Sequence, residues 1–334
     1  MKKKGISYAK WGYIFMIPFF VVYIVFSLYP LIATFYNSTQ NYVIDTGDIS
    51  KRAGWYSTAT EEEEEEKDED TFVGLENYKK IFSKDETLVQ SFKNTIIVWV
   101  LGFIPQIVVS LILAVWFTDL RLQIKAQGFF KAVIYLPNVI MASAIALLFY
   151  NLLDKGGSFY SFFNNFTPGS KTLLEVKWGA RGTIGFINFL LWYGNTTILL
   201  MAAIMGVDTS LYESASIDGA TPTETFWKIT IPLIRPILSF VLVTSMIGGL
   251  QMYDVPALLT NDTGKPAAEY ANGKPYLTTK TIIMEIQTRK DSDVGKASAV
   301  CVIIFFISAI VGFALMYVSA DKDGKKKKKK GARG

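Results

Sequence analysis

Six stretches of this chain are too apolar and too long to leave many folds open. They run from about Trp11 to Tyr36, Thr95 to Phe117, Phe129 to Leu153, Thr183 to Met205, Leu233 to Leu259 and Ala297 to Val318. A bilayer core roughly 30 Å thick is crossed by about 20 mainly apolar residues in a helix. In hydrocarbon the backbone must satisfy itself, and a helix does so within one segment. The expectation is an all-α membrane protein with six transmembrane helices. The first run is too long for a cleaved signal peptide, and Tyr29-Pro30 stands where a small-residue cleavage site would be wanted. Trp11, Tyr13, Tyr29 and Tyr36 fit interface anchors.

Around these spans the chain reads as one membrane domain, residues 11–320, with a basic segment 1–10 before it and a basic tail 321–334 after it. Composition agrees: 51% of the 334 residues are hydrophobic, high for a soluble domain. Charge sets the orientation. With both termini inside, the inner segments carry Lys2, Lys3, Lys4, Lys10, Arg121, Lys125, Lys131, Lys228, Arg235, Lys322, Lys325 to Lys330 and Arg333. That is half of the 34 Lys and Arg, on segments about half as long in total as the outer ones, so the positive-inside rule favours cytoplasmic termini. The tail run Lys325 to Lys330 suits a flank that attracts anionic lipid, and a nucleic-acid partner is not expected.

The loops left outside are the long ones. Residues from about 45 to 70 include Glu61 to Glu66, Asp68, Glu69 and Asp70. Such a block repels itself and reads as a disordered insert without calcium-loop spacing. The loop Asn261 to Lys296 carries a helix-like piece from about Thr279 to Arg289.

Several chemistries are missing. There is no histidine, so no histidine metal site or base. The single cysteine, Cys301, forms no internal disulfide. No GxxxxGK[ST], GxSxG or HExxH occurs. Asp254 is the one acidic residue near membrane depth, which weighs against a proton-driven carrier. No catalytic group, metal or cofactor is expected in this chain.

The connection between spans four and five is unusually well written. Ser210 to Glu213 reads as a capping box opening a helix to about Ile217, and Asp218-Gly219 closes it. Thr221 to Glu224 is a second capping box, with Pro222 at the first helical position. A second short helix runs to about Thr230, and Pro232 marks a break before span five. Helices this short are marginal alone. The apolar set Leu211, Tyr212, Ala215, Ile217, Phe226, Trp227 and Ile229 exceeds the needs of a free loop. Part packs on the protein's own spans, and the rest invites a partner.

These residues carry a resemblance. Glu213-Ser214-Ala215, then Gly219, then Ile229-x-Ile231-Pro232 is similar to the EAA signature of ABC importer permeases, whose pattern is E-A-A, three residues, G, nine residues, I-x-L-P. Ser214 and Ile231 depart from it mildly. Asp218-Gly219-Ala220, Pro232 to Pro236, Phe72 to Tyr78 and Leu258 to Asn261 resemble the carbohydrate branch, and the Phe72 to Tyr78 match favours the F-like half of maltose-type systems. The resemblance implies a type I importer permease in a bacterial plasma membrane. It would pair with a second, homologous permease, two ATP-binding subunits and an extracytoplasmic carbohydrate-binding protein. ATP and Mg would sit on the ATPase chains. The elbow Glu213, Ser214, Ala215, Asp218, Gly219, Ala220, Ile229 and Pro232 would dock on the ATPase. Glu213 is either a contact to that partner or only a capping glutamate.

Carbohydrates are held by hydrogen bonds and aromatic faces, and polar groups at membrane depth are costly unless they line a cavity. In span four Asn188, Trp192 and Asn195 fall at i, i+4 and i+7, on one helix face. Tyr193, Thr196 and Thr197 lie nearby. In span five Gly248-Gly249 precede Gln251, Met252, Tyr253 and Asp254, and the double glycine can loosen the helix. The resemblance puts Asn188, Trp192, Asn195 and Gln251 near the sugar contacts of maltose-type permeases, with Tyr253 beside them. Span three offers Asn138, Ser143, Tyr150 and Asn151. The competing role for all of these is interhelical glue. A stand-alone carrier or channel for a small polar solute, and a membrane enzyme, remain the alternatives.

Overall fold

The computed structural model describes residues 9–41, 71–84, 86–119, 125–166, 172–261, 268–271, 274–290 and 293–331. The acidic insert falls outside them. In chain order the elements are α1 (Ala9–Tyr23), a π turn (Ile24–Leu28), α2 (Tyr29–Asn37), β1 (Gln40–Asn41), β2 (Thr71–Phe72), α3 (Glu76–Lys84), α4 (Glu86–Thr118), α5 (Gln127–Val139), α6 (Ala142–Leu153) and α7 (Ser158–Phe166). Then come α8 (Lys177–Met205), α9 (Thr209–Ile217), α10 (Pro222–Thr225), a second π turn (Phe226–Thr230), α11 (Ile231–Leu250), the hairpin β3 (Ala268–Ala271) and β4 (Lys274–Leu277), α12 (Ile282–Lys290) and α13 (Val294–Gly331). Five helical stretches are long and apolar enough to cross a membrane, and a sixth arises if one bent pair is a single span. The all-α membrane class therefore holds.

Two spans differ from the sequence expectation. Span three is not straight: Gln127–Val139 and Ala142–Phe162 meet at 87°. Pro137 restricts the residue before it and lacks an amide donor. The chain then turns extended at Ile140 and Met141. Span five starts earlier and stops earlier than expected. One continuous helix runs from Pro222 to Leu250, so Pro232 breaks nothing. The wider i→i+5 turn at Phe226–Thr230 gives slack where the proline ring would otherwise press on the carbonyl four residues back. The first span repeats the device, with Pro30 two residues past the π turn Ile24–Leu28. Nor do Gly248 and Gly249 loosen α11; the interruption comes after them, at residues 251–253.

Two compact units emerge. The first joins residues 1–85 and 286–305. Here the Phe72-to-Tyr78 stretch has a clear structural task. β2 pairs antiparallel with β1, Gln40 opposite Phe72. Gly74 adopts φ +58 before α3. Asn77 Nδ2 then donates to Ser38 O at 3.0 Å and Gln40 O at 2.9 Å, and the Tyr78 hydroxyl to Ser38 Oγ at 2.7 Å. Two carbonyls where α2 gives way to β1 are thereby satisfied.

The second unit, residues 86–285 with 306–334, carries both candidate sites. Helices α4 and α8 form its spine. Gly102 and Gly185 sit at their crossing, where a Cβ on Gly102 would lie 3.0 Å from Gly185 O. Small residues let helix backbones approach in this way. Buried side chains gather in two groups along the spine, Val98, Ile184, Ile187 and Leu191 in one, Ala114, Leu200, Met201 and Ile234 in the other.

Candidate translocation cavity and coupling elbow

Between α4, α8 and α11 lies a cavity of about 350 Å³. Three helix faces line it, and two repeat one spacing. From α8 come Asn188, Trp192 and Asn195. From α4 come Trp99, Phe103 and Gln106, again i, i+4 and i+7. From α11 and its end come Phe240, Ser245, Gly249 and Met252. Sequence reasoning found the first stripe and missed the second, although the same template applied to span two finds it.

The polar groups divide into those used for packing and those left over. Gln106 Nε2 donates to Thr196 Oγ1 at 2.7 Å. The Trp99 indole N–H donates to Ser245 Oγ at 3.1 Å, and its ring stacks on Phe103 with centroids 5.3 Å apart. A Cβ on Gly249 would run into that indole, so the glycine is there for close approach. Asn188 Nδ2 donates to Ile184 O at 2.9 Å and to Met252 Sδ at 3.2 Å. Trp192 keeps 51% of its surface exposed, and Asn195 is exposed too. The wall thus offers an aromatic face, a free amide and carbonyl acceptors, the chemistry that sugar hydroxyls and C–H faces match.

Other residues singled out in the sequence lie elsewhere. Gln251 and Tyr253 do not line this cavity; past the end of α11 at Leu250 only Met252, between them, does so. Asn138 Nδ2 donates to Leu191 O at 2.9 Å and acts as glue between α5 and α8. Tyr150 bonds Asp154 and Asn151 bonds Leu147 O, so neither reaches the cavity.

The elbow occupies α9, α10 and the π turn. One expectation is corrected. Ser210 and Glu213 form no capping box; the N-cap is Asp208, whose carboxylate accepts from Ser210 N at 3.0 Å. That bond holds the exposed Asp208 carboxyl below its ordinary pKa. An Asp two residues earlier caps as well as Ser, so the helix starts sooner and Glu213 falls inside it. Glu213 is exposed, with no capping duty. It lines a second hollow of about 490 Å³ with Asp119, Tyr212, Ser216 and Phe226.

Apart from the fusion of its second helix with α11, the rest of the elbow follows the sequence closely. Gly219 has φ +71, Gly219 N donates to Ser216 O at 3.2 Å, and Ala220 N to Ala215 O at 2.9 Å. This pair is the Schellman closure. Asp218 N donates to Ser214 O at 2.9 Å. Thr221 and Glu224 form the expected reciprocal box. The Tyr212 hydroxyl meets Thr230 Oγ1 at 3.3 Å and ties α9 to the π turn that holds Ile229. Ala215 is buried, whereas Ile217 is 86% and Trp227 63% exposed. The apolar set thus divides between inward packing and exposed surface.

Residues 95–323 match the model of the family described as "Binding-protein-dependent transport system inner membrane component". The chain is 28% identical over 257 residues to the lactose transport system permease protein LacF of Rhizobium radiobacter, covering 75% of this chain and 82% of that one. It is 26% identical to the arabinooligosaccharides transport system permease protein AraP of Bacillus subtilis, covering 93% and 89%. Among solved structures, a chain of a bacterial ABC transporter that imports the acidic polysaccharide alginate superposes with TM-score 0.66 at 19% identity, over 92% of this chain and 94% of that chain. The multi-pass helical architecture, the EAA-like elbow and the family match converge: this chain belongs to the inner membrane component family of binding-protein-dependent transport systems.

Proposed function

We propose that the chain is the membrane-spanning permease subunit of an ATP-driven importer for a sugar or oligosaccharide, its cavity forming half of the pathway. The observation that carries this reading is the pairing of the Asn188, Trp192, Asn195 stripe with the Trp99, Phe103, Gln106 stripe around one cavity. At about 350 Å³ it falls within the usual range of small-ligand pockets. Relatives named for lactose and arabinooligosaccharide transport support the substrate class. Glu213, Ser214, Ala215, Asp218, Gly219, Ala220, Ile229 and Pro232 dock on an ATPase subunit, and a second permease completes the pathway. A related alginate importer was crystallised with an alginate pentasaccharide-bound periplasmic protein, which supports an extracytoplasmic binding protein as partner here. Both termini are cytoplasmic in this arrangement.

The test is uptake by cells carrying Trp192→Ala, with labelled lactose and arabinooligosaccharides as probes. Loss of one stacking face should cost at least about tenfold in uptake of the sugar carried, with the protein still present in the membrane. Undiminished uptake of every sugar that the unmodified cells take up would sink the cavity assignment. Uptake persisting after loss of the ATPase subunit would favour a stand-alone carrier instead.

A further inference from the structure

Past the end of α11 the backbone is no longer helical, and its carbonyls need partners from outside the helix. One is supplied from far along the chain. The Thr281 hydroxyl donates to Met252 O at 2.9 Å. Thr281 sits at the start of α12, where its Oγ1 also faces Met284 N at 3.5 Å. The next amide, Ile282 N, donates to Thr95 Oγ1 on α4 at 2.9 Å. Residues 278–282 are stapled at further points. Arg181 Nε donates to Thr278 O at 3.0 Å while its Nη2 reaches Asn94 Oδ1 at 2.6 Å. Asn94 Nδ2 donates to Lys280 O at 3.2 Å, and Thr279 Oγ1 meets Thr260 Oγ1 at 2.7 Å. Lys280 pairs with Glu285 at 2.6 Å. Yet the hold is incomplete, since Thr278 Oγ1 is buried with no hydrogen-bond partner, a cost that opening would relieve.

Met252 belongs to both systems. Its carbonyl holds Thr281, and its side chain lines the cavity and accepts from Asn188 Nδ2 at 3.2 Å. A thioether is a weak acceptor on a flexible stem. A sugar hydroxyl offered to Asn188 therefore replaces it readily, and Met252 is then free to move.

We propose that Asn188 is a positioning residue which, through Met252 and Thr281, makes the hold on residues 278–282 depend on what the cavity contains. With the cavity empty, Asn188 fixes Met252 and the first turn of α12 stays pinned. With a hydroxyl on Asn188, the pin loosens and the 278–282 segment can part from α4 and α8. This deepens the importer reading and rests on it, but the experiment needs neither sugar nor ATPase, so each can fail separately.

The experiment is hydrogen exchange of the Ile282-to-Glu285 amides in the full chain in lipid nanodiscs. Thr281→Val should raise their exchange about tenfold, the scale of one lost hydrogen bond to a backbone carbonyl, and Thr281→Ser should restore it. The decisive variants lie at the cavity. Met252→Leu keeps the volume and folds; with Asn188→Ala it should raise exchange of the same amides about threefold. Neither should add to Thr281→Val, as expected of linked groups. If the cavity variants leave these amides unchanged, or add fully to Thr281→Val, the relay is wrong. Should Thr281→Val not fold, Met252→Leu alone decides.

Discussion

Two polar assemblies sit in the same compact unit and are built in opposite ways. The elbow is wired to itself: Asp208 to Ser210, Gly219 to Ser216, Ala220 to Ala215, Thr221 to Glu224. Every one of those bonds spans five residues or fewer. The segment 278–282 is wired to others, through Arg181, Asn94 and Thr95, partners 97, 186 and 187 residues away in sequence. The elbow leaves apolar side chains exposed, whereas Thr278, Thr279 and Thr281 are wholly buried. A piece that must move as one body keeps its bonds internal. A piece that must separate from its neighbours has its bonds at the boundary.

If that contrast is right, damage should spread differently from the two regions. Arg181→Leu is the largest test. It removes the Arg181 bonds to Thr278 O and Asn94 Oδ1 in a buried site and should cost about 3 kcal/mol. Thermal unfolding of the chain in detergent should show the whole unit falling in stability. Next comes Gly219→Val. Nothing lies within 4 Å of a Cβ there, so the penalty is chiefly that of φ +71, about 2 kcal/mol for a β-branched residue. Gly219→Asn should be nearly neutral. Co-purification with the proposed ATPase partner should drop for Val and persist for Asn, while global unfolding shifts little. Equal loss with Asn would show that space at the docking surface, not backbone conformation, is what matters.

Thr221→Ala removes one half of the reciprocal box and should cost about 1 kcal/mol, confined to α10 and the π turn. Circular dichroism of the whole chain would barely register it, but exchange of the Glu224 and Thr225 amides should rise several-fold. The smallest effect is pH-dependent. Asp208 has its pKa lowered by Ser210, so its contribution is present above the ordinary carboxylate range and is lost as pH falls through the lowered value. Acid should fray the start of α9 before the rest of the elbow, and Asp208→Asn should remove that dependence.

The same contrast explains what could be read from the sequence. Local bonds leave local signatures. Gly219, the Thr221–Glu224 box and the six apolar runs were legible because helix caps and hydrophobic periodicity act over a few residues. The N-cap slipped by two residues because Asp208 and Ser210 are both competent caps. The stripe Trp99, Phe103 and Gln106 has the same spacing and was nevertheless missed. The bend at Ile140 was ambiguous, since Pro105 and Pro236 lie inside helices that continue. The binding of residues 278–282 was not legible at all. Nothing near Arg181 names Thr278, and no spacing in a single sequence links residues that only the tertiary fold brings together.

The π turn that carries the chain past Pro232 has a mechanical consequence. Because the helix runs unbroken from Pro222 to Leu250, the elbow and one wall of the cavity share a single rod. At about 1.5 Å per residue, Gly249 stands about 35 Å along the axis from Phe226. A tilt of only ~10° pivoting at the π turn would then carry Gly249 sideways by about 6 Å, roughly one helical pitch. A small rotation imposed at one end becomes a displacement at the other large enough to unseat the Trp99 ring from its glycine.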